Sequence, residues 1–173
     1  MPSERTPRQA ARVVVVAPDW STYLFRYDNP EVGVHWSPPG GGLEAGETPL
    51  AGALRELAEE TGWTDLRPVG ELCRWEHDFT RAGIRVRQYE HVFLAHGPYR
   101  PLGPDVAAAH AADRIEDGRW WPLPELTATK EALWPPRLPD LLTLARTGLP
   151  QRPVELGRVA ADEGAGGPGA QRP

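Results

Sequence analysis

The sequence predicts a mixed domain of the α/β (α+β) class. Three observations carry this. Val13 to Val16 is an unbroken apolar run of β-branched residues, which reads as a buried strand. Thr48 to Thr61 is a bounded helix, and Val69 to Phe79 with Gly83 to Ala95 reads as two strands around a turn at Thr80 to Gly83.

The elements follow in order. Residues 1–10 lack periodicity and read as a flexible tail; Arg12 to Ala17 is the first strand, and Thr22 to Tyr27 the second, set off by Pro18 to Ser21. His35 to Gly42, broken by Pro38, Pro39 and three glycines, reads as a loop. In the helix, Thr48 supplies a cap, Pro49 suits the first position and Gly62 supplies the stop. Gly97 to Gly118 has no dominant pattern beyond a helix candidate at Val106 to Asp113. Arg119 to Pro122 reads as a last strand, and Pro139 to Thr147 as a helix ending at Gly148. The domain therefore runs over residues 11–149, and residues 150–173, rich in Gly and Pro towards the end, form a second flexible tail.

Composition narrows the function classes. A net charge of -5 gives no basic surplus for polymeric nucleic acid. The single cysteine, Cys73, rules out an internal disulfide and is assigned no chemistry. With no apolar run of bilayer-spanning length and no signal-peptide core, the expectation is a cytoplasmic protein with no membrane partner.

The helix carries the chemistry. Leu50, Leu54, Leu57 and Ala58 share one side, expected to face the core, while Glu56, Glu59 and Glu60 lie within an arc of roughly 100°. Acidic faces are ordinarily just solvated. These three carboxylates, however, repel one another at i, i+3 and i+4, near the helix end whose dipole disfavours anions. A hard divalent cation, Mg²⁺ or Mn²⁺, would remove both objections. The preceding segment, Trp36-Ser-Pro-Pro-Gly-Gly-Gly-Leu-Glu-Ala-Gly-Glu47, is directly joined to that helix. Its glycines let a ligand approach the main chain, so Gly41 and Gly42 are candidates for phosphate contacts through backbone N–H groups. No Gly-Lys-Ser/Thr follows, so it is not a P-loop.

Gly41, five residues, Glu47, seven residues and then Arg55-Glu56-Leu57-Ala58-Glu59-Glu60-Thr61-Gly62-Trp63 resemble a complete Nudix box. A looser resemblance to Nudix (MutT-like) hydrolases extends over residues 12–148, including Arg119-Trp120-Trp121-Pro122-Leu123. It implies a mixed sheet sandwiched between helices, with Glu56, Glu59 and Glu60 binding Mg²⁺ or Mn²⁺ and the Gly40 carbonyl as a further ligand. Glu56 would also orient or deprotonate the attacking water, and Glu47 with Arg55 would brace the loop. The implied activity is a pyrophosphohydrolase cleaving a phosphoanhydride in a nucleoside diphosphate linked to another moiety: a nucleoside triphosphate, nucleotide sugar or dinucleoside polyphosphate. The alternative is a non-catalytic nucleotide-sensing domain. The isoprenoid-diphosphate isomerases of the same fold would need a catalytic cysteine, and Cys73 lies after the box. A homodimer is a further expectation by analogy.

Outside the box, Glu90, Asp113, Glu116 and Asp117 compete as an additional metal ligand, with Glu90 and Glu116 preferred. Glu90 shares a strand face with Ile84, Val86, Val92 and Leu94, so it needs a partner, and Arg85 or Arg87 could supply one. Trp36 could stack on a base, and Arg26 and Arg87 could meet phosphate, although packing and solvated charge are the ordinary roles of such residues.

Overall fold

The structure is a computed structural model and describes residues 4–159. Nine strands are seen: β1 (Thr6–Val16), β2 (Thr22–Asn29), β3 (Gly33–Ser37), β4 (Gly40–Gly42), β5 (Pro68–Arg81), β6 (Ile84–His96), β7 (Ile115–Trp121), β8 (Ala132–Leu133) and β9 (Val154–Arg158). Four helices accompany them: α1 (Pro49–Thr61), α2 (Ala107–Asp113), α3 (Leu123–Ala128) and α4 (Leu138–Thr147). The main sheet path is β8-β3-β2-β1-β6-β5-β9, with β4 on β1 and β7 on β2. None of the described helices is long and apolar enough to cross a membrane.

The valine run explains the layering. Successive strand residues point to opposite faces. Val13 and Val15 join Phe25, Ala53 and Leu57 beneath α1, whereas Val14 and Val16 join Leu72, Leu94, Leu141 and Leu142 beneath α4. All four valines are at most 1% exposed. At ~1.5–3 kcal/mol for each fully buried side chain, the run is a major contributor to the core. The sheet is thus mixed and covered by helices on both faces, as expected.

Several boundaries differ from the sequence reading. β1 begins at Thr6, because Thr6 to Ala10 pairs in parallel with Val86 to Glu90. Backbone pairing orders that segment despite its polar side chains, so residues 6–10 of the tail expected over 1–10 form a strand; residues 1–3 lie outside the described part. At the other end Val154–Arg158 pairs with β5, which takes part of the tail expected over 150–173 into the sheet; residues 160–173 lie outside the described part. The loop expected at His35 to Gly42 is two strands around Pro38 and Pro39, with Gly40, Gly41 and Gly42 opposite Arg12, Ala11 and Ala10.

Helix α1 keeps its predicted limits: Thr48 Oγ1 accepts from the Ala51 N–H at 3.2 Å, and Gly62 is left-handed at φ 77°. Its buried face is rotated from expectation. Ala53 and Leu57 meet the core together with Glu56 and Glu60, while Leu50 is 43% exposed. A stripe of leucines misled the reading because two carboxylates take positions that face inward.

Candidate active site

Three elements converge on one cluster of carboxylates. The glycine strand β4 is fixed by β1, and the Gly40 N–H donates to Glu60 Oε2 at 2.9 Å. Gly41 lies against Glu56, where a side-chain carbon would come within 2.8 Å of the carboxylate carbon. This close approach is what requires glycine there. The third element is α2. His110 Nε2 donates to the Glu60 carbonyl at 2.7 Å, tying α2 to α1, and Asp113 then ends α2 beside the two glutamates. Each of Glu56, Glu60 and Asp113 offers an oxygen within 4.8 Å of the others.

The electrostatics of this cluster favour a cation. Glu60 is fully buried, and burial raises its carboxyl well above the ordinary carboxylate range despite nearby Arg12. Burial also raises Glu56, which is 8% exposed, and Asp113 reinforces the effect. Glu60 Oε1 has no hydrogen-bond partner among the described residues. A buried carboxylate with an unpaired oxygen, beside two further acids, is unfavourable by itself and well suited to a hard divalent ion. The donor set therefore fits Mg²⁺ or Mn²⁺ in Glu56, Glu60 and Asp113.

Arg55 braces this arrangement. Its Nε and Nη2 donate to the two Glu47 oxygens at 2.8 and 3.1 Å, and Nη2 also reaches the Gly42 carbonyl at 3.0 Å. Through Nη1 it holds Glu56 at 3.1 Å and Glu59 at 3.3 Å. Glu59 has a half-exposed side chain and stands outside the cluster.

The structure places the other candidates elsewhere. Glu90 is buried against β1 as the partner of Arg12, with Arg12 Nε at 2.7 Å from Oε1. Trp75 Nε1 and Gln88 Nε2 donate to Glu90, each at 2.6 Å. Burial opposes the charge, but Arg12 and His77 outweigh it and hold the carboxyl well below its usual range. Glu90 is thus saturated by protein donors and does not join the cluster. Glu116 pairs with Arg26 at the surface. Arg87 donates through Nε and Nη2 to the two Asp78 oxygens, at 2.8 and 2.9 Å. Trp36 is a core residue against Trp121, donating to Glu131 at 3.0 Å. Asp113, one of the four carboxylates weighed outside the box, joins the cluster where Glu90 or Glu116 was preferred. The inward arginines Arg8 and Arg12 were not legible, since both depend on where β1 lies.

A cleft opens beside the carboxylates. Gly40, Gly41, Asp113, Arg8 and Arg81 line it, with the aromatic rings of Tyr27, Phe79 and Trp134.

The NUDIX domain model matches residues 5–142. An RNA pyrophosphohydrolase of Acidiphilium cryptum is 33% identical over 108 residues, covering 57% of this chain and 64% of that protein. The matched region thus spans under two thirds of that relative's length. Among solved structures, the MutT protein of Methanosarcina mazei has a TM-score of 0.60 at 18% identity, covering 83% of this chain and 96% of that one. The NUDIX domain of Shewanella oneidensis NrtR, complexed with ADP ribose, has a TM-score of 0.57 at 20% identity, covering 86% and 92%. On the family match, the carboxylate cluster and the glycine strand together, the chain belongs to the NUDIX family.

Proposed function

We propose that this chain is a divalent-metal-dependent pyrophosphohydrolase acting on a nucleoside diphosphate linked to another moiety. The observation that carries the reading is the inward cluster of Glu56, Glu60 and Asp113, with an unpaired Glu60 oxygen, beside a cleft lined by Asp113, Arg8 and Arg81. The names of similar proteins, an RNA pyrophosphohydrolase and a domain complexed with ADP ribose, support a phosphoanhydride of nucleotide type.

Mg²⁺ or Mn²⁺ held by Glu56, Glu60 and Asp113 would neutralise phosphate charge and lower the pKa of a bound water. Glu56, raised by burial and held by Arg55, is suited to take the proton of the attacking water. The water oxygen forms a bond to phosphorus as the bridging P–O bond breaks, and the leaving phosphate takes the bonding pair. Such a leaving group needs little acid assistance, so positioning and fixed charge supply most of the effect.

The test is a panel of nucleoside triphosphates, nucleotide sugars and dinucleoside polyphosphates incubated with Mg²⁺. Turnover is expected, and Glu56→Gln should lower it at least ~10²-fold. A variant near wild-type rate would refute the role of Glu56, and nucleotide binding without turnover would favour a sensing domain.

A further inference from the structure

We propose that Arg8 and Arg81 form the receptor for the substrate phosphate lying away from the carboxylate cluster. This deepens the reading above and names how the cleft holds the far end of a phosphate chain.

Arg8 stands out among the arginines. Of the described arginines that are not exposed, Arg5, Arg12, Arg26, Arg55, Arg87 and Arg100 each have a carboxylate within salt-bridge distance. Among the described residues Arg8 has none, and its side chain donates to the neutral Gln88 Oε1. Burial, with Arg81 and Arg12 nearby, pushes its pKa down to about 10. Glu90 and Asp113 offset this only in part, so a half-buried guanidinium without a direct counter-charge gains from an arriving anion.

Its placement indicates which anion. A side-chain carbon on Gly42 would sit 2.5 Å from Arg8 Nη2, so the guanidinium lies directly on the glycine strand. Along that strand Gly40 holds Glu60, Gly41 faces Glu56 and Gly42 faces Arg8. Successive strand residues face opposite sides, so Glu56 and Arg8 flank β4 from its two faces, and the cleft is lined by Gly40, Gly41 and Arg8 together.

Arg81 approaches from the tip of the β5–β6 hairpin, where Ala82 and Gly83 make the turn with positive φ. It lines the same cleft and reaches Asp113 Oδ1 at only 3.5 Å, a weak pairing that a cation in the cluster would compete with. Two guanidiniums, each with donors in a planar fork, match a doubly charged terminal phosphate. A singly charged phosphate inside a chain would leave one of them uncompensated.

The test is calorimetric titration with inorganic pyrophosphate in EDTA, so that it reads this receptor with no metal and no turnover. Wild type is expected to bind, and Arg8→Gln to weaken binding at least tenfold, with Arg81→Gln weakening it severalfold. Arg74→Gln, outside the cleft, should bind as wild type. Absence of binding by wild type, unchanged affinity in folded Arg8→Gln, or an equal loss in Arg74→Gln would overturn the proposal. Should Arg8→Gln fail to fold, unchanged affinity in Arg81→Gln, a surface hairpin position, would overturn it. Failure here leaves the hydrolase reading standing, because turnover with Mg²⁺ is measured separately.

Discussion

At the residue scale, Glu90 shows how protein donors can fill a carboxylate that has a metal-ligand appearance. It is fully buried, yet Arg12, Trp75 and Gln88 all donate to it. Arg12 in turn donates to the Pro38 carbonyl at 2.9 Å, so the pair holds β1, β6 and the entry to the glycine strand together. Replacing Glu90 by Gln leaves a buried guanidinium without its counter-charge, which should cost about 3–5 kcal/mol. Urea unfolding with an unchanged slope checks this; a loss below about 1 kcal/mol would contradict a structural role. The sequence showed that Glu90 needs a partner but not which one: Arg12 lies 78 residues away, and only strand pairing brings it there.

At the scale of elements, the glycine strand and α1 were legible for different reasons. The limits of α1 follow from local chemistry, a capping threonine and a left-handed glycine, and these survive in any context. Its orientation does not follow, because the apolar stripe at Leu50 and Leu54 competes with the inward glutamates, and tertiary contact with β4 decides. The resemblance to the Nudix box named Glu56, Glu59 and Glu60, of which Glu59 stands outside the cluster, whereas Asp113 comes from α2, whose approach to α1 depends on His110. For Gly41→Ala the backbone is permissive, but the new carbon meets the Glu56 carboxylate at 2.8 Å. We expect at least ~10-fold lower activity from displaced catalytic geometry, with folding stability retained within ~1 kcal/mol. Parallel kinetics and thermal melts separate the two effects; wild-type kinetics would mean that the Glu56 carboxylate has room to move.

At the scale of the whole molecule, folding is coupled to pH through groups beneath the cleft. His35 is buried between Trp134 and Tyr27, and burial pushes its pKa from 6.5 down to about 4. Because the folded value is depressed, the stabilising effect is present above 6.5 and lost as pH falls towards 4. Glu56 and Glu60 act in the opposite sense: their raised folded values remove stability as pH rises above 4.5 in the metal-free protein. The difference between wild type and His35→Asn isolates the histidine. Between pH 7 and 4 wild type should lose up to about 3 kcal/mol more than the variant. Parallel pH curves from denaturant unfolding would argue against this account.

The pairing of β1 with β6 sets a condition on synthesis as well as on the finished fold. Every residue of β1 finds its β6 neighbour 80 positions later, from Thr6 with Val86 to Val16 with His96. As the chain emerges, four consecutive valines must wait for most of the domain before that edge is covered. Long-range closure of this kind is slow. Until His96 has left the ribosome, the segment that will anchor both layers of the core keeps an edge open to pairing with a stranger.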